Sequence, residues 1–217
     1  MKRLRILCLH GYHGSAKVLS DQMGRLVEGL DPLTDFVCID APSLAKGDFG
    51  WWHAKNSTSA DESGIARYEG WARTFDGIVS VFRNEGPFDG IFGFSQGAAL
   101  AGLLVGLRAP GGLTTERQPL AFDFAVMVGG FLARDPALTR LYEAAPSYAL
   151  PSIHITGRSD AIVPKHQSLM VSAKFKNPLV LEHGGAHMIP SSPEIRSQVS
   201  NFLIARRQQA ESGAIPK

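Results

Sequence analysis

The chain has 217 residues, of which 44% are hydrophobic and 19% charged, an ordinary composition for one globular domain. Its 22 basic and 20 acidic side chains leave a formal net charge of +2, so charge gives no reason to expect a nucleic-acid or anionic-membrane partner. The two cysteines are too few for a disulfide framework and no run of 18 apolar residues exists, so we expect a cytoplasmic protein without a membrane span.

Short apolar runs alternate with segments of helical periodicity along the chain. The apolar runs predict strands at residues 5–9, 36–39, 88–92, 122–128, 152–156 and 179–182. The periodic segments predict helices at residues 15–30, 64–83, 95–107, 136–144, 165–175 and 193–208. Residues 43–63 and 109–119 lack a clean period and are predicted to be loops.

Six alternations of strand and helix predict an α/β fold, with a six-stranded, mostly parallel sheet and helices on both faces. We expect one domain over residues 1–208 and a polar tail over residues 209–217. Folds of this kind place their chemistry at the carboxyl ends of the strands.

The candidate nucleophile is Ser95, in the sequence Gly93-Phe94-Ser95-Gln96-Gly97. This G-x-S-x-G motif lies directly after a predicted strand and directly before a predicted helix, which is the context that the motif requires. Such a turn lifts the serine hydroxyl off the sheet, and bulky side chains at either glycine would clash. A plain helix N-cap serine is the alternative, but a cap does not require two flanking glycines.

A serine nucleophile needs a base, and the base needs an orienting carboxylate. In this fold the chain order is serine, acid, histidine. Asp160 is the preferred acid because it follows the fifth predicted strand and a glycine turn. Asp135, before a proline, is better explained as a helix cap, and Asp123 falls within a predicted strand.

Three histidines follow Asp160. His187 is the preferred base because it lies in a loop of small residues after the sixth predicted strand, from which it can reach the serine. His183, at the end of that strand, is the alternative, and His166 is expected on a solvent-facing helix. The spacing of His183 and His187 resembles a zinc motif, but two glycines lie between them and the glutamate is missing, so we predict no metal site.

Acyl transfer also needs donors that stabilise the oxyanion. The backbone N–H of Gln96, next to the nucleophile, is one candidate. The loop after the first strand supplies the other, for which we choose the backbone N–H of Tyr12 because the glycines of this loop let its backbone approach. A plain turn at His10-Gly11 is the alternative.

The loop of residues 43–63 is expected to border an apolar acyl pocket. Trp51 and Trp52 are adjacent in a segment without a helix or strand period, and monomers rarely expose that much apolar surface. We predict that both indoles line the pocket or cover its mouth, joined by Tyr68. A hydrophobic clasp that holds the loop without touching substrate is the alternative.

These motifs resemble the FSH family of serine hydrolases, within the α/β-hydrolases. The resemblance rests on Gly86-Pro87-Phe88-Asp89-Gly90, which runs into GFSQGAAL, and on residues 7–11, 51–52, 154–160 and 183–190. The chain departs from the family at Gly185-Ala186-His187, where Gly-Gly-His is usual. The resemblance implies an esterase or thioesterase with Ser95, Asp160 and His187 as its triad, and some fungal members release acyl chains from polyketide synthases.

The sequence therefore predicts a cofactor-free hydrolase of carboxylic esters or thioesters. Its expected partner is a small ester or thioester substrate, free or carried on a protein, with a medium or long acyl chain. An acyl-protein thioesterase or lysophospholipase-like carboxylesterase shares the chemistry but not the substrate. A catalytically silent ligand-binding module on the same fold is the alternative of another class.

Overall fold

The computed structural model describes residues 2–45, 48–56, 66–109 and 120–212. Its centre is a six-stranded sheet in which every neighbouring pair of strands is parallel. The strands are β1 (Leu4–Leu9), β2 (Thr34–Ile39), β7 (Gly90–Phe94), β8 (Phe124–Val128), β9 (Ser152–Gly157) and β10 (Leu179–His183), and their order across the sheet is β10-β9-β8-β7-β1-β2. The predicted parallel sheet is confirmed.

Helices cover both faces of this sheet. They are α1 (Ala16–Val27), α2 (Trp71–Glu85), α3 (Gln96–Arg108), α4 (Pro136–Thr139), α5 (Lys165–Ser172) and α6 (Pro193–Ser212). Side chains of α1 and α6 pack with one face of the strands, and side chains of α2, α3 and α5 pack with the other. Side chains alternate between the two faces along β1, as the period of a strand requires. Ile6 and Cys8 belong to the core on the α1 and α6 face, and Leu7 and Leu9 belong to the core on the α2, α3 and α5 face.

Short antiparallel strands occupy the segment predicted as a long loop, residues 43–63, and the start of the segment predicted as a helix from residue 64. Strand β3 (Ser43–Ala45) pairs with β4 (Asp48–Phe49), and β5 (His53–Asn56) pairs with β6 (Ala66–Glu69). Helix α2 therefore begins at Trp71, seven residues later than predicted, after Gly70 in the left-handed conformation (φ 89°). Residues 46–47 and 57–65 lie outside the described residues.

Two smaller differences concern element ends. The helix predicted over 136–144 is a short α4 followed by a 3-10 turn at Arg140–Glu143. Helix α6 runs to Ser212 and so includes the start of the predicted tail, whose last residues are outside the described chain. Most of the predicted loop at 109–119 is also outside it. Within the described residues, no helix is long and apolar enough to cross a membrane.

The sheet buries one histidine. His154 in β9 is 3% exposed, and its Nε2 lies 3.0 Å from the Ser152 hydroxyl. Burial lowers the pKa of His154 from 6.5 to about 3. Below pH 6.5 the unfolded chain therefore takes up a proton that the folded chain resists, and the fold loses stability down to about pH 3.

We expect the His154 imidazole to make the protein acid-sensitive. Its free energy of unfolding should fall by up to about 3 kcal/mol as the pH drops about two units below 6.5. Urea unfolding at neutral and acidic pH measures the change for the wild type, for His154→Gln and for the exposed-histidine control His166→Gln. The loss of stability between the two pH values should be smaller in His154→Gln than in the control. Equal losses in all three proteins would contradict this assignment.

Candidate active site

Ser95 occupies a strained turn between β7 and α3. Its backbone has φ 55° and ψ −117°, a conformation that non-glycine residues rarely adopt. A side chain on Gly93 would collide with the backbone of Gly97, and one on Gly97 would collide with the carbonyl of Leu9. The two glycines of the motif therefore let the turn pack tightly against the end of β1, and the Ser95 N–H donates to Val128 O at 2.8 Å.

Gly97→Ala is expected to displace this turn, because its Cβ would meet backbone atoms rather than a flexible side chain that could move away. We predict a loss of turnover of at least about tenfold and a lower melting temperature. Gly77→Ala is the control, since Gly77 lies inside α2 and an added Cβ there would meet nothing within 4 Å, so alanine should stabilise the helix by about 0.5–1 kcal/mol. Unchanged activity in Gly97→Ala would contradict the steric account.

The three residues chosen from the sequence form a continuous hydrogen-bonded chain. Ser95 Oγ lies 2.9 Å from His187 Nε2, and His187 Nδ1 lies 2.7 Å from Asp160 Oδ2. The other carboxylate oxygen, Oδ1, accepts from the backbone N–H groups of Ile162 at 3.0 Å and Val163 at 2.8 Å. Because a carboxylate only accepts, Nδ1 carries the imidazole proton, and Nε2 is free to accept from the Ser95 hydroxyl.

Close packing holds the imidazole in this position. The ring of Phe94 stacks on His187 with ring centres 4.9 Å apart, and a Cβ on Gly129 would lie only 3.0 Å from His187 Cε1, so glycine at this position gives the ring room. Gly157, at the end of β9, lets the backbone of Gly185 and Ala186 approach in the same way. The His187 side chain is 12% exposed and that of Asp160 only 2%, so the pair is shielded from water.

The alternative residues lie elsewhere. His183 Nδ1 accepts from the Gly185 N–H at 3.2 Å, and His166 lies on α5 at the edge of a cavity. Asp135 caps α4 through the N–H of Ala137 at 2.9 Å, as the sequence indicated.

The two candidate oxyanion donors border the same space as the serine. Gln96 is the first residue of α3, so its N–H has no acceptor within the helix. Tyr12 lies beside Ser95 and Gln96 along the cavity, and its hydroxyl contacts His53 Nδ1 at 3.0 Å. The helix N-terminus adds a partial positive charge where an oxyanion would form.

The Gln96 side chain has a structural role that sequence reasoning missed. Its Oε1 accepts from the Trp51 N–H at 2.9 Å, and its Nε2 donates to the Trp52 carbonyl at 2.8 Å. One buried amide thus fixes the tryptophan pair to the residue next to Ser95.

The two tryptophans differ in position. Both are buried, as the avoidance of exposed apolar surface predicts, and both belong to the core on the α2 and α3 face of the sheet. Trp51 does not line the cavity, and its indole N–H donates to His10 O at 2.8 Å. Its position therefore agrees with the alternative interpretation, in which an indole holds the loop without touching substrate. Trp52 does line the cavity and stacks on Tyr68, with ring centres 4.8 Å apart and planes within 8° of parallel.

A cavity of about 630 Å³ opens beside Ser95. Its apolar lining comes mainly from the loops after β8 and β9 and from α5, at Phe131, Leu132, Ile162, Val163 and Met170. The sequence placed these loops at the active edge of the sheet but gave no signal for these individual side chains. The size and apolar lining suit an organic ligand, and two of the lining residues, Ile162 and Met170, are 72% and 54% exposed.

No metal site accompanies this cavity in the described ranges. There, no group of three or more His, Cys, Asp or Glu side chains is placed to hold an ion. His10, of the HGYH sequence, is buried with Nδ1 2.7 Å from Gly11 O, and its Nε2 accepts from the Ala41 N–H at 3.0 Å. Burial lowers its pKa, and both ring nitrogens are used in holding the first loop.

Comparison with known proteins gives consistent matches. The family model described as Serine hydrolase (FSH1) matches residues 1–199. Esterase CG5412 of Drosophila melanogaster is 34% identical over 96% of this chain and 76% of its own, and human Esterase OVCA2 is 30% identical over 92% and 95%. The crystal structure of Zea mays acyl-protein thioesterase 2 shares the fold, with a TM-score of 0.72 and 22% identity over 95% of this chain and 94% of that one.

Proposed function

Because the chain belongs to the serine hydrolase (FSH1) family and is a carboxylic ester hydrolase, we propose that Ser95, His187 and Asp160 are its catalytic triad. The observation that carries the proposal is the hydrogen-bonded chain from Ser95 Oγ through the imidazole to Asp160 Oδ2, at 2.9 and 2.7 Å. One α/β domain over residues 1–208 would supply the whole site.

In the proposed reaction, Ser95 Oγ attacks the carbonyl carbon of the substrate while its proton passes to His187 Nε2. The carbonyl π electrons move to oxygen, and the N–H groups of Gln96 and Tyr12 stabilise that oxyanion. The carbon–oxygen or carbon–sulfur bond to the leaving group then breaks, and the leaving group takes the proton from Nε2. Asp160 orients the imidazole and stabilises its charged form throughout.

The second half repeats these steps with water. Nε2 removes a proton from a water molecule, whose oxygen attacks the acyl-Ser95 carbonyl. Collapse of the tetrahedral intermediate releases the carboxylic acid, and Ser95 Oγ recovers its proton from Nε2. All the proton transfers occur at one imidazole, so we expect activity without an added metal or cofactor.

The apolar lining supports medium or long acyl chains as the preferred substrates. Each CH₂ group that moves from water into such a cavity contributes about 0.8 kcal/mol, so three methylenes can raise kcat/KM by nearly two orders of magnitude. The free thiols of Cys8 and Cys38 support a reducing compartment such as the cytoplasm.

A panel of p-nitrophenyl esters and matched acyl thioesters, graded in acyl length, tests the proposed function. We expect turnover with both leaving groups and a rise in kcat/KM from acetyl to longer chains. Absence of turnover with every substrate would overturn the proposed hydrolase reaction.

Trp52→Ala is expected to flatten the dependence on acyl length, because its indole lines the cavity whereas that of Trp51 does not. Trp51→Ala is the matched comparison: its indole is just as buried, so it should lower stability by about 3–5 kcal/mol with a smaller effect on the length profile. The measurement is the slope of log kcat/KM against acyl length. The same slope in Trp52→Ala and wild type would exclude Trp52 from the acyl site.

A further inference from the structure

The loop after β8 leads from the candidate triad to an arginine on the cavity wall. At its start, a Cβ on Gly129 would lie 3.0 Å from His187 Cε1. Five residues later comes Arg134, which lines the cavity. Five residues span at most about 18 Å, so the arginine lies within the length of a substrate molecule from the reacting atoms.

Arg134 has a positive charge without an ion-pair partner in the described part of the chain. Its side chain is exposed, and none of the ion pairs between described residues includes it. Neither Asp nor Glu occurs among the described residues that line the cavity. The carboxylate of the neighbouring Asp135 accepts from the N–H groups of Tyr68 and Ala137, at 2.8 and 2.9 Å, and its ion pair, at 3.8 Å, is with Arg67 rather than with Arg134.

Tyr68 provides a second donor beside this charge. Its hydroxyl oxygen accepts from the Arg134 backbone N–H at 2.8 Å, so the two residues lie side by side on the cavity wall. Tyr68 is itself 9% exposed, lines the cavity and is fixed by its stacking on Trp52. Since the oxygen already accepts, its O–H is available to donate, and no acceptor for it is found among the described residues.

We propose that the Arg134 guanidinium and the Tyr68 O–H form an anion-recognition subsite, so that the preferred substrates carry a negatively charged oxygen group away from the scissile bond. This inference rests on the proposed hydrolase function and deepens it. An apolar stretch of substrate would contact Phe131, Leu132 and Trp52. The anion would bind the Arg134 guanidinium and accept a hydrogen bond from the Tyr68 O–H.

Two parts of a substrate could carry such an anion. A carboxylate at the far end of the acyl chain is one source, and a phosphate on the leaving group, as in a coenzyme A thioester, is the other. Both present planar or tetrahedral arrays of oxygen acceptors that a guanidinium binds well.

Matched substrate pairs separate these sources. Mono-p-nitrophenyl suberate and p-nitrophenyl octanoate have the same number of carbons but differ in a terminal carboxylate. Octanoyl-coenzyme A and S-octanoyl-N-acetylcysteamine share the acyl group but differ in leaving-group charge. The readout is the ratio of kcat/KM for the anionic over the neutral member, in wild type, Arg134→Gln, Tyr68→Phe and the control Arg140→Gln, whose arginine is exposed but outside the cavity.

We expect one of the two ratios to fall by about five- to tenfold in Arg134→Gln and by less in Tyr68→Phe, with no change in Arg140→Gln. The wild-type ratio should also shrink at about 0.5 M NaCl, because salt screens an exposed charge. The pair that shows the effect identifies the source of the anion. Ratios that do not depend on Arg134 in either pair would overturn the subsite.

Calorimetric binding of suberate dianion provides a readout that needs no turnover. The subsite predicts weaker binding to Arg134→Gln than to Arg140→Gln, and equal binding would count against it. Absence of hydrolysis of all four esters and thioesters would instead overturn the proposed function, so the two failures are distinguishable.

Discussion

Ser95→Ala is expected to lower kcat by about 10⁴- to 10⁶-fold with every ester, and to remove covalent labelling by a fluorophosphonate. The physical reason is that no other hydroxyl occupies the strained turn with its oxygen 2.9 Å from an imidazole nitrogen in the described structure. The measurement is single-turnover and steady-state kinetics of the purified variant, checked for folding by its thermal transition. Removal of one small, partly shielded hydroxyl should leave that transition nearly unchanged.

Ser159→Ala is the matched control. Ser159 adjoins Asp160 in sequence, but its hydroxyl donates to Gly184 O at 3.4 Å, whereas the ring nitrogens of His187 bind Asp160 and Ser95. Its replacement should change kcat little. A Ser95→Ala enzyme that keeps more than about a tenth of wild-type kcat would mean that another group performs the attack.

Asp160→Asn is expected to lower kcat by about 10⁴-fold at unchanged geometry. The Asp160 carboxylate accepts on both oxygens: Oδ1 from two backbone N–H groups and Oδ2 from His187. An asparagine whose oxygen satisfies the backbone donors must turn its NH₂ group toward His187 Nδ1. That nitrogen would then have to accept, the proton would move to Nε2, and Nε2 could no longer accept from Ser95.

The same reasoning predicts that the three residues act as a unit. The decrease in kcat of the double variant Ser95→Ala/Asp160→Asn should resemble that of Ser95→Ala alone. Without the serine hydroxyl there is no proton transfer for Asp160 to assist, so its replacement costs nothing more. Asp135→Asn and His183→Gln are the controls for the acid and the base. Asp135→Asn weakens the α4 cap and the contact with the Tyr68 N–H, so stability falls while kcat for neutral esters changes far less. A kcat collapse in either control, with Asp160→Asn or His187→Ala tolerated, would reassign that role.

The sequence was most informative for residues that directly follow the ends of strands. Each strand of the parallel sheet is a short apolar run, and the candidate residues Ser95, Asp160 and His187 follow the ends of strands. Parallel strands bring those ends to one edge, which is why chain order alone brought distant residues together. The glycines around Ser95 were informative for a steric reason, because their backbones touch other backbones.

The region between β2 and α2 was not predictable in the same way. Strands β4 and β5 are two and four residues long, too short for a period to be recognised, and they are stabilised by pairing. The burial of Trp51 depends on a hydrogen bond to His10 O and on the Gln96 amide 45 residues away. Such contacts follow from tertiary packing, which a local pattern in the sequence does not predict. The hydrogen bond between the Arg134 N–H and the Tyr68 hydroxyl, 66 residues apart in sequence, is another example.

The site of covalent labelling by a fluorophosphonate in the wild-type protein, mapped by peptide mass spectrometry, tests the assignment of Ser95 as the nucleophile most directly. We expect one labelled peptide, containing residues Gly93 to Gly97 with the label on Ser95, and suppressed labelling in His187→Ala because the hydroxyl loses its base. A label on any other serine, or a wild-type protein that takes up no label while remaining folded, would contradict it.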